Sequence, residues 1–117
     1  MWISCLVLDS ERLVSDTLFG MAFFAELDDQ NVEWLCSRGG VGFYRTVVQH
    51  VANKNPEVHG PALRLSGNLC YGRDAHVERL ISSGLLEELA THLQGYYAKE
   101  TKEAAWAASN ITAGSPK

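Results

Sequence analysis

The sequence predicts an all-α solenoid built from stacked three-helix repeats, and three observations carry that expectation. Residues 28 to 39, DDQNVEWLCSRG, lie over residues 73 to 84, RDAHVERLISSG, at an offset of 45. Six of the twelve positions are identical: Asp29/Asp74, Val32/Val77, Glu33/Glu78, Leu35/Leu80, Ser37/Ser82 and Gly39/Gly84. A second match joins residues 60 to 72, GPALRLSGNLCYG, to residues 102 to 114, KEAAWAASNITAG, at an offset of 42, with Ala62/Ala104, Asn68/Asn110 and Gly72/Gly114 identical. Finally, Ala104, Ala107, Ala108 and Ile111 fall at i, i+3, i+4 and i+7, the narrow apolar stripe of a helix that packs closely on its neighbours.

Each unit reads as a short first helix over 28–38 and 73–83, a turn at glycine, and a second helix over about 40–52 and 85–95. At the 45 offset Val41, Tyr44 and Val48 fall on Leu86, Leu89 and Leu93, so the register is expected to persist through the second helix. A longer third helix is expected over about 12–26, 57–71 and 98–113, with Phe19 and Phe23 in the places of Arg64 and Asn68. Gly39, Gly84, Gly72 and Gly114 stand where helix C-caps belong, while Asn55-Pro56 and Gly60-Pro61 stand where the third helix begins or bends. The acidic pairs Asp28/Asp29 and Glu87/Glu88 suit helix beginnings, where the dipole favours negative charge. Three helices in 42 to 45 residues is armadillo spacing, since HEAT units of similar length have two. The predicted fold is thus a right-handed superhelical armadillo solenoid of about two and two-thirds repeats. One domain spans 1–117: the end of one repeat over 1–27 and full repeats over 28–72 and 73–117. Roughly three repeats are wanted for stability, and Trp2, Ile3, Leu6 and Leu8 make an apolar rather than a polar end. That combination predicts a segment of a longer solenoid, or a chain that buries its ends by association.

Composition narrows the function. With 46% hydrophobic and 21% charged residues, the 117-residue chain is that of an ordinary folded domain. A net charge of −4 and ten scattered lysines and arginines do not make the basic stripe of a nucleic-acid-binding module, so any charged partner is expected to be basic. MWISCLVL lacks the basic lead and cleavage site of a signal peptide, and no run approaches the ~18 apolar residues of a membrane span, so no membrane partner is expected. Cys5, Cys36 and Cys70, odd in number and set among apolar residues, read as buried free thiols of a reducing compartment. His50, His59, His76 and His92 show no metal-ligand spacing, Gly39-Gly40-Val41-Gly42 follows a helix rather than a strand, and no nucleophile has a credible base. Neither an enzyme nor a metal or cofactor is expected.

The candidate site lies on the third helices. Trp106 and Asn110 project together from the side opposite the alanine stripe, and Glu103 shares their line one turn earlier. An indole beside an amide and a carboxylate suits a ligand with an aliphatic stem and a cationic head. Packing of Trp106 on a neighbouring helix of the same chain is the equal alternative. Stacked third helices would repeat the stripe as rungs: Asp16-Phe19-Phe23, Pro61-Arg64-Asn68 and Glu103-Trp106-Asn110. On such a ladder Arg64 is expected to pair with a neighbouring carboxylate such as Glu103.

Three stretches, KEAAWAASNITAG at 102–114, GPALRLSGN at 60–68 with Gly72, and DTLFGMAFF at 16–24, resemble the importin-alpha (karyopherin-alpha) family. The order aromatic, arginine, tryptophan is similar to that family's passage from its central repeats into its minor signal-binding site. The resemblance implies a nuclear import adaptor of cytoplasm and nucleus that binds basic nuclear localisation signals of cargo proteins. It implies that Trp106 stacks on a basic side chain, Asn110 holds the peptide backbone, and Ser109 and Glu103 line the rim, beside Asn68 and Arg64 of the preceding rung. Gly72 and Asp74, in the loop after the preceding third helix, would help cage a lysine. Arg73 beside that cage, Val77 in place of a hydroxyl and Phe23 in place of a polar rung residue depart from the family pattern, as does the missing second tryptophan. The alternative function is a truncated armadillo scaffold that binds a folded protein, another transport factor or a second copy through its exposed ends, without signal-peptide binding.

Overall fold

The computed structural model describes residues 6, 10–70, 74–94 and 98–114, with the backbone alone at 40, 41, 74, 98–101, 103 and 112–114. Cys5 and Gly72, read above as a buried thiol and a helix cap, lie outside the described residues. Among the described residues six α-helices follow one another: α1 (Glu11–Leu27), α2 (Asp29–Val51), α3 (Pro56–Cys70), α4 (Asp74–Ser82), α5 (Leu85–Leu93) and α6 (Ala98–Gly114).

The three long third helices are α1, α3 and α6, and each lies within a residue or two of its expected range. Ser10 caps α1 by accepting the Leu13 N–H at 3.3 Å, and Asp28, in extended backbone, caps α2 by accepting the Gln30 N–H at 2.8 Å. Asn55 does the same for α3, accepting the Glu57 N–H at 3.0 Å, while Pro56 opens that helix where a missing N–H costs nothing. Pro61 sits inside α3 and has no N–H to offer the Glu57 carbonyl four residues earlier. That orphaned carbonyl accepts the Ser15 hydroxyl of α1, so the helix defect is healed across the repeat boundary.

The chain departs from expectation in its second element. Residues 28–38 and 40–52 were expected as two helices with a cap at Gly39, yet α2 runs unbroken through Gly39 to Gly42. In the next repeat the break is present: Gly84, at φ 101, turns the chain between α4 and α5 in a conformation that costs a side chain dearly. The register changes with it. First helices stack at an offset of 45, with Val32, Leu35, Val77 and Leu80 all buried. Second helices stack at 42 rather than the expected 45, because Phe43 and Val47 share their buried positions with Leu85 and Leu89. His50 and His92 mark the same offset, with Nε2 of each hydrogen-bonded to a carbonyl of the preceding repeat, Leu6 at 2.7 Å and Val51 at 2.6 Å. The three residues that separate the two offsets fall where α2 continues and α4–α5 breaks.

One apolar core runs through the stack, with α3 packed between α1 and α6. Ala104 and Ala107 are fully buried, and Ala108 and Ile111 pack against the same core, so the alanine stripe is the packing face of α6. A polar chain joins the two full repeats: the Tyr44 hydroxyl and His76 Nδ1 share a buried hydrogen bond at 2.7 Å, and His76 Nε2 lies 2.8 Å from the half-buried Glu33. No helix among the described residues is long and apolar enough to cross a membrane.

Candidate functional site

The site is assembled where α6, α3 and the end of α1 meet. Gly67 on α3 makes it possible: a Cβ there would collide with the six-membered ring of Trp106, so only a bare Cα lets the indole come so close. One turn further along α6, Asn110 donates its side-chain amide to the Gly67 carbonyl at 2.9 Å. Trp106 and Asn110 thus both engage α3, and Trp106 still leaves 40% of its surface exposed. Trp106 therefore packs on the neighbouring helix and keeps part of its indole at the surface.

Asn68 repeats the bond one rung earlier, donating to the Ala22 carbonyl at 2.9 Å, but it is only 6% exposed. Arg64 takes a neighbouring carboxylate, as expected, and the one described beside it is Glu26. Its guanidinium holds Glu26 of α1 in a two-pronged pair, Nε to Oε1 at 2.8 Å and Nη2 to Oε2 at 3.0 Å. Packing of α1 along α3 brings the last turn of α1 beside Arg64, and this fork-to-fork geometry suits a carboxylate better than a single contact would. Phe19 and Phe23 are exposed along α1, as the ladder requires. Ser109 is exposed but borders neither of the clefts described next. Gly72 and the side chains of Asp74 and Glu103 lie outside the described residues.

Two clefts share Trp106 as a wall. One, of about 330 Å³, is lined by Glu26, Arg64, Lys102 and Trp106. The other, of about 220 Å³, is lined by Glu26, Asp29, Asn68, Trp106 and Asn110 with Ala25 and Val32 as its apolar part. Its two carboxylates and a partly exposed indole provide for a cationic head and an aliphatic stem. Glu26, Asp29 and Lys102 escaped the sequence reading. Asp29 and Lys102 were within reach, the first as the counterpart of Asp74 at the 45 offset and the second one turn before Trp106 on the same helix, whereas only packing between helices brings Glu26 to the site.

Two features elsewhere differ in kind. The Arg38 guanidinium lies 5.0 Å from the Trp34 ring centroid, and Phe24 meets that ring edge-on at 5.8 Å, so this second exposed tryptophan already has its cation. A larger groove of about 590 Å³ between α2 and the α4–α5 turn carries Arg45, Arg79 and Glu88 around Tyr44, with no open indole and no excess of acid. The site around Trp106 is the better match for a basic ligand on chemistry, despite its smaller volume.

No protein family model matches the chain. Importin subunit alpha-1a of Oryza sativa subsp. japonica is 28% identical over 107 residues, covering 91% of this chain and 20% of that protein. The chain thus spans about a fifth of the length of this curated relative. A designed armadillo repeat protein superposes with a TM-score of 0.87 at 20% identity, over 96% of this chain and 46% of that one. Another, solved in complex with peptide (KR)4, gives 0.85 at 24% identity, over 94% and 45%. With the three-helix repeats described above, these likenesses make the chain an all-α armadillo-repeat solenoid, similar in sequence to importin alpha.

Proposed function

We propose that this chain is a non-enzymatic armadillo module that binds an extended peptide carrying lysine or arginine, along the face shared by α1, α3 and α6. The observation that carries the reading is the cleft that Glu26 and Asp29 line together with the partly exposed indole of Trp106. A lysine or arginine stem covers the indole while its charge meets the acid, an arrangement worth more in a partly enclosed cleft than on open surface. The likeness to importin alpha supports the same direction, toward basic signal peptides of cargo in transport between cytoplasm and nucleus. So does the basic peptide held by a designed protein of this fold. Within this reading Asn110 steadies the indole through Gly67, Asn68 floors the acidic cleft, and Arg64 sets how much of Glu26 remains for the ligand. Ser109, Glu103, Gly72 and Asp74 are assigned to its rim and to the loop cage.

Titration of a fluorescein-labelled lysine-bearing peptide at physiological salt, read by anisotropy, tests this. Saturable binding that Trp106→Ala abolishes is the expected result. Unchanged binding to the variant, or none to the unaltered chain at ~100 μM, weaker than about 5.5 kcal/mol, overturns it. A second reading, association through the end of the stack, draws on Leu13, Phe19, Phe23 and Leu27, each at least half exposed along α1. Concentration-dependent dimerisation in sedimentation, insensitive to Trp106→Ala, is its signature.

A further inference from the structure

Glu26 borders both clefts at Trp106, and Arg64 engages both of its oxygens, Nε on Oε1 at 2.8 Å and Nη2 on Oε2 at 3.0 Å. Arg64 stands three residues before Gly67, one turn along α3 from the point where the indole packs. A guanidinium set against a carboxylate at the border of an indole is the arrangement that the site offers to an incoming basic side chain. The chain thus already supplies, from its own α3, a cation to one of the two acids of the cleft of about 220 Å³. Asp29, the other acid, is exposed at the start of α2 and makes no ion pair among the described residues. The Arg64–Glu26 pair is open to exchange, since its side chains leave 47% and 38% of their surface exposed, and pairs so open to water are weak.

We propose that Arg64 is a resident competitor of the ligand and sets the affinity of the site. Its guanidinium occupies Glu26 as the ligand's cation would, and leaves Asp29 as the acid that receives that cation first. Glu26 contributes to binding only as far as Arg64 releases it. This inference rests on the peptide-binding reading above and deepens it by naming the side chain that restrains the site. Competition differs from plain repulsion between like charges: the effect of Arg64 passes through Glu26, so the two residues act on the ligand as a coupled pair and not independently.

A double-mutant cycle separates the two. The fluorescein-labelled lysine-bearing peptide is titrated at ~0.15 M salt, where remote charges are screened. It meets the unaltered chain, Arg64→Gln, Arg64→Gln combined with Glu26→Gln, and Asp29→Asn, all of them exposed positions away from the core. Arg64→Gln is expected to bind about fivefold more tightly than the unaltered chain, the scale of one exposed ion pair. Adding Glu26→Gln is expected to remove that gain, and Asp29→Asn to weaken binding about fivefold. No gain in Arg64→Gln, a gain that survives the loss of Glu26, or undiminished binding in Asp29→Asn overturns the inference while the peptide-binding reading stands on its own test at Trp106. Absence of binding to the unaltered chain at ~100 μM overturns both.

Discussion

Cys36 and Cys70 are free thiols buried among apolar neighbours, and their environment holds them protonated. Burial pushes Cys36 from 9.0 up to about 11, against a hydrogen bond with Tyr44 that lowers it and with the nearby Glu33 charge that raises it. Burial alone pushes Cys70 from 9.0 up to about 12. The Tyr44 hydroxyl is raised as well, first by burial and then by Cys36. A group whose folded pKa exceeds its unfolded one stabilises the fold below the unfolded value, and that contribution disappears as pH climbs through the folded value. Urea unfolding is therefore expected to be level up to about pH 9 and to lose midpoint between there and about pH 11–12. The same protonation predicts that iodoacetamide at pH 8, followed by peptide mapping, leaves Cys36 and Cys70 unmodified until denaturant is added. A midpoint independent of alkaline pH, or prompt labelling of either thiol, contradicts this account. These thiols were legible in the sequence from their apolar neighbours, but the contact of Cys36 with Tyr44 was not.

α2 shows how burial overrides a local preference. Three glycines between residues 39 and 42 each lower helix propensity by about 1 kcal/mol relative to alanine, which is why a break was expected there. Against that cost stand Leu35, Cys36, Phe43, Tyr44 and Val47, all buried on one helical face, and each large side chain contributes about 1.5–3 kcal/mol when fully buried. Continuity wins. The glycines are not equivalent, however. A Cβ at Gly42 would meet open space, so Gly42→Ala is expected to raise stability by up to about 1 kcal/mol through helix propensity alone. At Gly39 the added methyl would strike Cβ and Cγ of Phe43, atoms too near the backbone to swing aside, so Gly39→Ala is expected to cost about 1–3 kcal/mol. Thermal melts of the two variants should move in opposite directions. A rise for both would show that Phe43 yields readily.

Across the whole molecule, the repeats are tied together by polar rungs as well as by the core. Asn68 to the Ala22 carbonyl and Asn110 to the Gly67 carbonyl join successive third helices, while His92 ties α5 to α2 through Val51 and His50 ties α2 to Leu6. Asn68 is the buried member, so Asn68→Ala strands an enclosed carbonyl and is expected to cost about 1–3 kcal/mol in chemical denaturation. Asn110→Ala, at a partly exposed position where water can replace the amide, should cost less. Equal losses would argue that both rungs are equally dry. The sequence by itself determined the all-α class, the three long third helices and the placing of Trp106 off the alanine stripe, because helical periodicity is written within a few neighbouring residues. Tertiary structure alone decided the unbroken α2, the 42-residue register of the second helices, and the pairing of Arg64 with Glu26. Those outcomes depend on how far one helix is displaced along another, a distance set by the sum of many packed side chains and by no single motif.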